Sequence, residues 1–238
     1  MVTFCRVLLL IDQVLMPKRL NQTKLERAVA VLAADHAEFA VVYEKYGVPP
    51  MWDREPGFAT LLQIILEQQV SLASAKACFD KLELRLGEVT PERFLTVSDL
   101  DLKRDGFSRQ KTSYGRSLAN AIIEGTLDLS DLEPLSDAEV KEKLIALKGI
   151  GHWTVDIYLL MALLRPDVMP RGDIALHSAW HRISGEPKPT SDEFLAIAER
   201  WRPHRSTAAR LLWHFYLSER RPRQKSAQLR DCARYEGA

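Results

Sequence analysis

The chain has 238 residues, of which 46% are hydrophobic and 27% charged, and its formal net charge is +1. This composition is typical of an ordinary globular protein and excludes a disordered or fibrous one. Because the net charge is close to zero, a basic field over the whole molecule is excluded as well. Any contact with a polyanion must therefore come from local patches.

The three cysteines, Cys5, Cys78 and Cys232, are far apart and form no C-x-x-C pair. This spacing disfavours a structural zinc site, an iron–sulfur cluster and a disulfide framework, and it is typical of a reducing compartment. The apolar run at 7–11 is interrupted by Asp12 without a following cleavage site, and no run reaches the length of a membrane span. The sequence therefore predicts a cytoplasmic protein that has no membrane partner.

Helix signals dominate from residue 21 onwards. Apolar residues at helical spacing predict one helix over 21–46, with Thr23 and Glu26 as a capping box at its start. The helices predicted after it lie, in chain order, at 58–66, 71–86, 111–125, 155–164, 174–183, 190–200 and 206–220, with short helices after Thr90 and Ser98 and a helix capped by Ser136 with Glu139.

About ten helices with short connections predict an all-α protein of two helical lobes. Helices near both ends of the chain would pair, so that 21–56 and 166–220 form one lobe and 57–165 forms a central bundle. Residues 1–20 are predicted to be an extension that is poorly ordered or not native, and 221–238 a polar tail. We expect the ligand site in a cleft between the lobes.

The most informative stretch of the chain is LIALKGIGHWTVD at 144–156, which is followed by PRGD at 170–173. Gly149 and Gly151 flank one apolar residue between two helical runs, so the backbone can turn sharply there. The N–H groups that open the next helix carry a partial positive charge and suit a phosphate. The isolated carboxylate of Asp173 lies downstream. A phosphate clamp with a lone acid indicates chemistry on a nucleic acid.

Four motifs between residues 58 and 217 resemble the helix-hairpin-helix (HhH-GPD) DNA glycosylase superfamily, in particular its alkylpurine branch of 3-methyladenine DNA glycosylase II. A G-x-G pair alone is weak evidence, but four motifs in family order are specific. The resemblance implies an all-α enzyme that starts base-excision repair on double-stranded DNA with a damaged base. The motifs are ILEQQVS at 65–71, LKGIGHWT at 147–154, PRGD at 170–173, and ERWRPHRS at 199–206 leading to Trp213.

The resemblance also implies roles for single residues. Asp173 matches the catalytic aspartate, and Gln69 matches the wedge that enters the duplex where the target nucleotide leaves, with Gln68 as the alternative if the register differs by one. The base pocket would be lined by Trp153, Trp213 and Ile157, of which Ile157 stands where relatives place an aromatic residue.

The hairpin is implied to bind the DNA backbone. The residues that would make this contact are Leu147, Lys148, Gly149, Ile150, Gly151, His152 and Thr154. A structural Na⁺ or K⁺ is an option there, held by the carbonyls of Ile145, Lys148 and Ile150. No other cofactor is required by the resemblance.

Two departures from the family bear on the reaction. A lysine that attacks the sugar occupies the position of Trp153 in bifunctional relatives, so the resemblance implies a monofunctional hydrolase without lyase activity. Relatives with a redox cluster carry four cysteines after the catalytic domain, where this chain has only Cys232. No iron–sulfur cluster is therefore expected. We expect a monomer, associated with the nucleoid if the source is bacterial.

The chemistry suits an alkylated purine, which is already positively charged and leaves as a neutral base. The sugar that remains resembles an oxocarbenium ion, and an ionised Asp173 would stabilise it or activate the attacking water. An aspartate before the predicted helix at 174–183 is also a common N-cap, and the two roles are compatible.

Several alternatives stay open at this stage. The enzyme would prefer other lesions (deaminated purines, uracil or mispaired adenine) if the Ile157 departure reshapes the pocket, or the protein would be a non-catalytic binder of damaged DNA. His177 and His181 share a helix face, but no third metal ligand stands near them, so ordinary helix positions are favoured. The roles of Tyr114, Tyr158 and His204 are left undecided.

Overall fold

The computed structural model describes residues 19–219, and all regular structure in this range is helical. The all-α prediction is confirmed. In chain order the helices are α1 (Gln22–Asp35), α2 (Ala37–Tyr46), α3 (Phe58–Glu67), α4 (Leu72–Leu86), α5 (Pro91–Thr96), α6 (Asp99–Asp105), α7 (Arg109–Ile123), α8 (Asp137–Ile145), α9 (His152–Met161), α10 (Ile174–Ser184), α11 (Ser191–Ala198) and α12 (Arg205–Glu219), with 3₁₀ turns at Ser130–Leu132 and Glu199–Trp201.

Half of the twelve helices described start at side-chain caps that the sequence predicts. A cap satisfies an N–H group that has no partner within the helix and contributes about 1 kcal/mol. Single caps are formed by Ser71, Thr90 and Ser98, and complete capping boxes by Ser136 with Glu139 and by Thr190 with Glu193.

The prediction of one helix over 21–46 is wrong. The chain leaves the helical conformation at His36, whose φ of −135° and ψ of 114° separate α1 from α2. The start is capped by Asn21, whose side chain accepts from the N–H of Lys24, and not by a box of Thr23 with Glu26. The break places Phe39 edge-on against Trp201, with ring centroids 5.1 Å apart. A tertiary contact thus accompanies an interruption that the helical spacing alone does not indicate.

The described chain divides into two compact units, which we call the first unit (19–20 with 52–170) and the second unit (21–51 with 171–219). Residues 52–56 and 166–170 lie in the first unit, whereas the sequence analysis places them with the other lobe. The reason is visible at Arg54, whose N–H donates to the carbonyl of Met161 at 2.9 Å. The predicted cleft between the lobes stays a prediction.

The first unit is built around α3, whose sequence is almost entirely apolar. Eight of its ten residues are buried, so it needs partners on several sides, and it packs against α4, α7 and α9. Leu20 is anchored to this unit because its N–H donates to the carbonyl of Leu164 at 2.7 Å. The end of the predicted extension is therefore part of the fold, and residues 1–18 lie outside the described range.

The second unit packs α12 against α1, α2 and α10 around an aromatic core. The ring of Trp201 lies 5.4 Å from that of Trp180 and 5.9 Å from that of Phe194. Arg210 is fully buried and donates to the carbonyls of Met51 at 2.8 Å and Ser206 at 3.1 Å. These bonds satisfy a charge that would otherwise be costly to bury. The predicted tail at 221–238 lies outside the described residues.

Candidate active site and nucleic-acid interface

The hairpin between α8 and α9 is a sharp turn at residues 146–151. Its backbone folds on itself, since the N–H of Ile150 donates to the carbonyl of Leu147 at 3.2 Å, and Gly149 takes a φ of +89°. Gly151 is the N-cap residue of α9 and has no side chain to satisfy the N–H groups of the first turn. A helix end of this kind suits a phosphate.

Tyr114 explains why position 149 requires a glycine. A Cβ at Gly149 would lie 2.0 Å from Cγ of the Tyr114 ring, far inside van der Waals contact. The ring of Tyr114, which projects from α7, therefore lies directly against the turn. The sequence left the role of Tyr114 undecided, because this contact joins residues far apart in the chain.

An ion pair braces the two helices of the hairpin. The carboxylate of Asp156 in α9 is almost fully buried and lies 2.8 Å from Nζ of Lys141 in α8. Removing one partner of a buried ion pair is costly because it leaves the other charge uncompensated, so this contact ties α9 to α8. Neither residue was predicted from the sequence to have a role, although an acid inside the apolar run of α9 is a signal of a buried partner.

The predicted backbone-binding residues divide by exposure. The side chains of Ile150 and Thr154 are buried, that of Leu147 is partly buried, and Gly149 has none, so these positions present mainly backbone to a ligand. The exposed members are Lys148, Gly151 and His152.

The carbonyls proposed for a monovalent cation are compatible with that role. Neighbouring carbonyls in the turn are already used, since Leu147 O accepts from Ile150 and Gly149 O accepts from the Gln68 amide. Among the hydrogen bonds outside the helices of 19–219, none goes to the carbonyls of Ile145, Lys148 or Ile150. Side chains offer no metal site of their own, because no group of three or more His, Cys, Asp or Glu residues comes together in the described part of the chain.

The two glutamines after α3 point in different directions. Gln69 is exposed, and its φ of +57° is a left-handed conformation that costs a residue other than glycine about 1–2 kcal/mol. Gln68 is turned inwards, and its amide donates to the carbonyl of Gly149 and to the hydroxyl of Thr154, both at 2.9 Å. The alternative of Gln68 as wedge is therefore disfavoured, and the wedge prediction rests on Gln69.

Two predicted pocket residues lie on α9 in the first unit. Trp153 is half-buried, whereas Ile157 is only 2% exposed and presents little surface to a base. Tyr158 is fully buried, and burial raises the pKa of its phenol to about 12. Tyr158 is therefore a core residue of the first unit.

In the second unit Asp173 is the N-cap of α10. Its Oδ1 accepts from the N–H of Leu176 at 3.0 Å, and the residue is 9% exposed. This hydrogen bond fixes the orientation of the carboxylate. Ile174, the next residue, is 70% exposed, so the surface begins immediately beside the acid. The cap role is confirmed.

Two further residues singled out in the sequence belong to the second unit. Trp213 lies on α12, and His204 directly precedes that helix. Trp213 is buried at 8% exposure. The backbone of His204 starts the helix, since its carbonyl accepts from Thr207 at 2.9 Å and Ala208 at 3.0 Å. His204 thus has a structural role that the sequence left undecided.

His177 lies one turn beyond Asp173 and is buried at 7% exposure. Its ring lies 4.9 Å from that of Phe194, and within 19–219 no polar atom reaches its Nε2 within hydrogen-bonding distance. Burial lowers the pKa of the imidazole, and the nearby charge of Asp173 opposes this shift only in part. The sequence predicts an ordinary helix position for His177 and gives no sign of this buried environment.

We expect the stability of the fold to fall as the pH drops below about 6.5, with part of the loss due to His177. The unfolded chain takes up a proton on this residue near its ordinary pKa, whereas the folded state does so only at lower pH. Stability is therefore complete above the unfolded pKa and is lost as the pH falls through the folded value. His177→Leu should narrow the difference in Tm between about pH 7.5 and about pH 5.

The control for this experiment is His181→Gln, because His181 is on the same helix and exposed. Thermal unfolding followed by circular dichroism measures both variants. An unchanged pH dependence in His177→Leu contradicts the assignment.

The comparisons with known proteins decide the family. Residues 62–203 match the HhH-GPD superfamily of base excision DNA repair proteins. The chain belongs to this superfamily. The resemblance found in the sequence is thereby confirmed.

Relatives within the superfamily include DNA-3-methyladenine glycosylase 1 of Schizosaccharomyces pombe, which is 33% identical over 168 residues, or 68% of this chain and 73% of that protein. The protein YfjP of Bacillus subtilis is 32% identical over 183 residues, or 73% of this chain, and the chain spans 63% of the length of that protein. A solved structure of S. pombe 3-methyladenine DNA glycosylase in complex with abasic DNA superposes with a TM-score of 0.75 at 29% identity, covering 79% of this chain and 95% of that one.

None of the helices described between 19 and 219 is long and apolar enough to cross a membrane.

Proposed function

We propose that the protein is a monofunctional DNA glycosylase that hydrolyses the N-glycosidic bond of alkylated purines in duplex DNA. The observation that carries this proposal is Asp173, a carboxylate held by the N–H of Leu176 at the start of α10, beside an exposed residue. It is the last residue of the PRGD motif at 170–173, at the position that matches the catalytic aspartate of the family. The names of the relatives point to 3-methyladenine as one substrate.

The reaction needs little protonation of the leaving base by a general acid. A purine alkylated at N3 or N7 is already cationic and leaves as a neutral base, so the developing charge is on the sugar. A fixed carboxylate stabilises that charge without reorganisation, and Asp173 would also orient or deprotonate the attacking water.

Two tryptophans would bind the cationic base, and one of them bears on whether the DNA strand is cleaved. An indole face attracts a cationic base, with a contribution of about 2 kcal/mol when both groups are desolvated. Trp153 and Trp213 are the residues proposed for this contact. Because Trp153 stands where a lyase carries its lysine, the product is expected to be an intact strand with an abasic site.

The hairpin supplies affinity that does not depend on the base. Its exposed positions, Lys148, Gly151 and His152, together with the start of α9, would hold phosphates of the duplex. A Na⁺ or K⁺ on the three carbonyls of the turn would add one positive charge next to the same phosphates. The active form is proposed to be a monomer.

The test is a panel of duplexes that each carry one lesion. We expect release of 3-methyladenine and 7-methylguanine, detected by chromatography, and no strand break until the abasic product is treated with alkali. Release of only hypoxanthine, uracil or mispaired adenine would show that the substrates are other lesions and not alkylated purines. Ile157 in place of an aromatic residue would favour that result. Tight binding to an abasic-site analogue with no turnover of any lesion would overturn the enzymatic proposal.

A further inference from the structure

We infer that Gln68 is a positioning residue that couples the exposed Gln69 to the hairpin, so that entry of the wedge and grip on the DNA backbone occur in one fixed geometry. This inference rests on the proposed function, and it assigns to Gln68 a role inside the protein in place of one in the duplex.

The coupling is carried by one side-chain amide. Nε2 of Gln68 donates to the carbonyl of Gly149 and to Oγ1 of Thr154, both at 2.9 Å. Gly149 is the turn itself and Thr154 lies in the first turn of α9, buried at 1% exposure. The amide therefore joins the end of α3 to the turn and to the second helix of the hairpin.

The backbone before Gln69 is held at a second point. Nζ of Lys111, from α7, donates to the carbonyl of Leu66 at 2.7 Å and thereby satisfies the end of α3. Burial lowers the pKa of this ammonium. With Leu66 and Gln68 both tied to neighbouring elements, the chain reaches Gln69 with little freedom, and Gln69 itself faces solvent in its left-handed conformation.

The chemistry of the contact requires a primary amide of this length. The two N–H bonds of one nitrogen serve two acceptors, a carbonyl and a hydroxyl oxygen. Glutamate would face the Gly149 carbonyl with an acceptor, leucine offers no donor, and asparagine is one methylene too short to reach. Position 68 is thus suited to fix geometry, not to bind a ligand.

Loss of the Gln68 amide is expected to impair nucleotide flipping and to leave contact with the DNA backbone intact. Gln68→Leu should slow single-turnover release of 7-methylguanine by about tenfold or more, while affinity for a duplex with a tetrahydrofuran abasic analogue changes by less than about threefold. The fluorescence rise of 2-aminopurine next to the lesion, which reports flipping, should slow in parallel with release.

Matched variants separate positioning from general damage. Gln63→Leu removes the same amide from a partly exposed position within α3, the helix that Gln68 follows, and should behave as wild type. Thr154→Val removes one of the two acceptors and should give part of the Gln68→Leu defect. If Gln68→Leu proves unstable by circular dichroism, Gln68→Asn and Thr154→Val carry the test.

The decisive comparison is made in a Gln69→Ala background. If Gln68 acts by holding Gln69, then Gln68→Leu adds no further loss of release once Gln69 is gone, whereas a loss of fold integrity would add in full. Additive losses, or equal rates for Gln68→Leu and Gln63→Leu, overturn the inference. If the wild type releases no base from any lesion, the proposed function fails, and the 2-aminopurine signal alone then decides on Gln68.

Discussion

Asp173→Asn is expected to reduce release of 3-methyladenine and 7-methylguanine by at least about 10²–10³-fold, because it removes the charge that opposes the developing cation on the sugar. The fold should be unaffected. Asparagine is as good an N-cap as aspartate, so its side-chain oxygen keeps the bond to the N–H of Leu176 that the structure shows at 3.0 Å.

Asp173→Asn tests catalysis better than Asp173→Ala, because asparagine removes the charge and keeps the cap. Asp173→Ala would remove the cap together with the charge and cost about 1 kcal/mol of stability, which confuses catalysis with folding. Affinity for the tetrahydrofuran duplex should stay close to wild type or rise in Asp173→Asn, because one negative charge near DNA is lost.

The measurement is single-turnover release with enzyme in excess, read by chromatography, alongside DNA affinity and thermal unfolding. Asp128→Asn is the control, since Asp128 also accepts a local backbone bond, from the N–H of Ser130 at 2.8 Å, but lies outside the motifs. Wild-type release by Asp173→Asn would show that another group supplies the charge.

Gly149→Ala and Gly151→Ala form a second, paired prediction, in which only the first variant is expected to lose stability. A methyl group at Gly149 meets the Tyr114 ring and sits on a backbone with φ of +89°. Overpacking of this kind costs about 1–3 kcal/mol, so the Tm should fall by several degrees and the turn should shift. Loss of DNA affinity would accompany the loss of fold.

Gly151→Ala separates binding from folding. A Cβ there meets nothing within 4 Å, and the φ of −103° is open to any residue, so the Tm should stay within about 2 °C of wild type. The added methyl nevertheless stands where a phosphate would approach α9. DNA affinity should fall by about tenfold, equally for all flanking sequences, because backbone contacts carry no sequence information.

Fluorescence anisotropy with duplexes of several flanking sequences measures these affinities. A loss confined to one sequence, or unchanged affinity in Gly151→Ala, would count against the hairpin as the backbone contact. Equal Tm values for the two variants would contradict the packing of Tyr114 on Gly149.

Local features of the fold were predictable from the sequence. The capping boxes of α8 and α11 and the cap role of Asp173 join residues three positions apart, so composition and spacing reveal them directly. The glycine turn at 149–151 and the order of the motifs were likewise sufficient to predict the family. What could not be predicted is which of two adjacent glutamines faces solvent.

The sequence by itself therefore determined the helical class, half of the helix starts, the family and the candidate acid, since each depends on neighbours along the chain or on motif order. Only the tertiary structure decided that the Gln68 amide donates to a turn 81 residues away, that the Tyr114 ring lies against Gly149, and that the first predicted helix is interrupted at His36. Contacts between distant residues depend on how helices pack, and periodicity along the chain carries no information about the partner that each helix face meets.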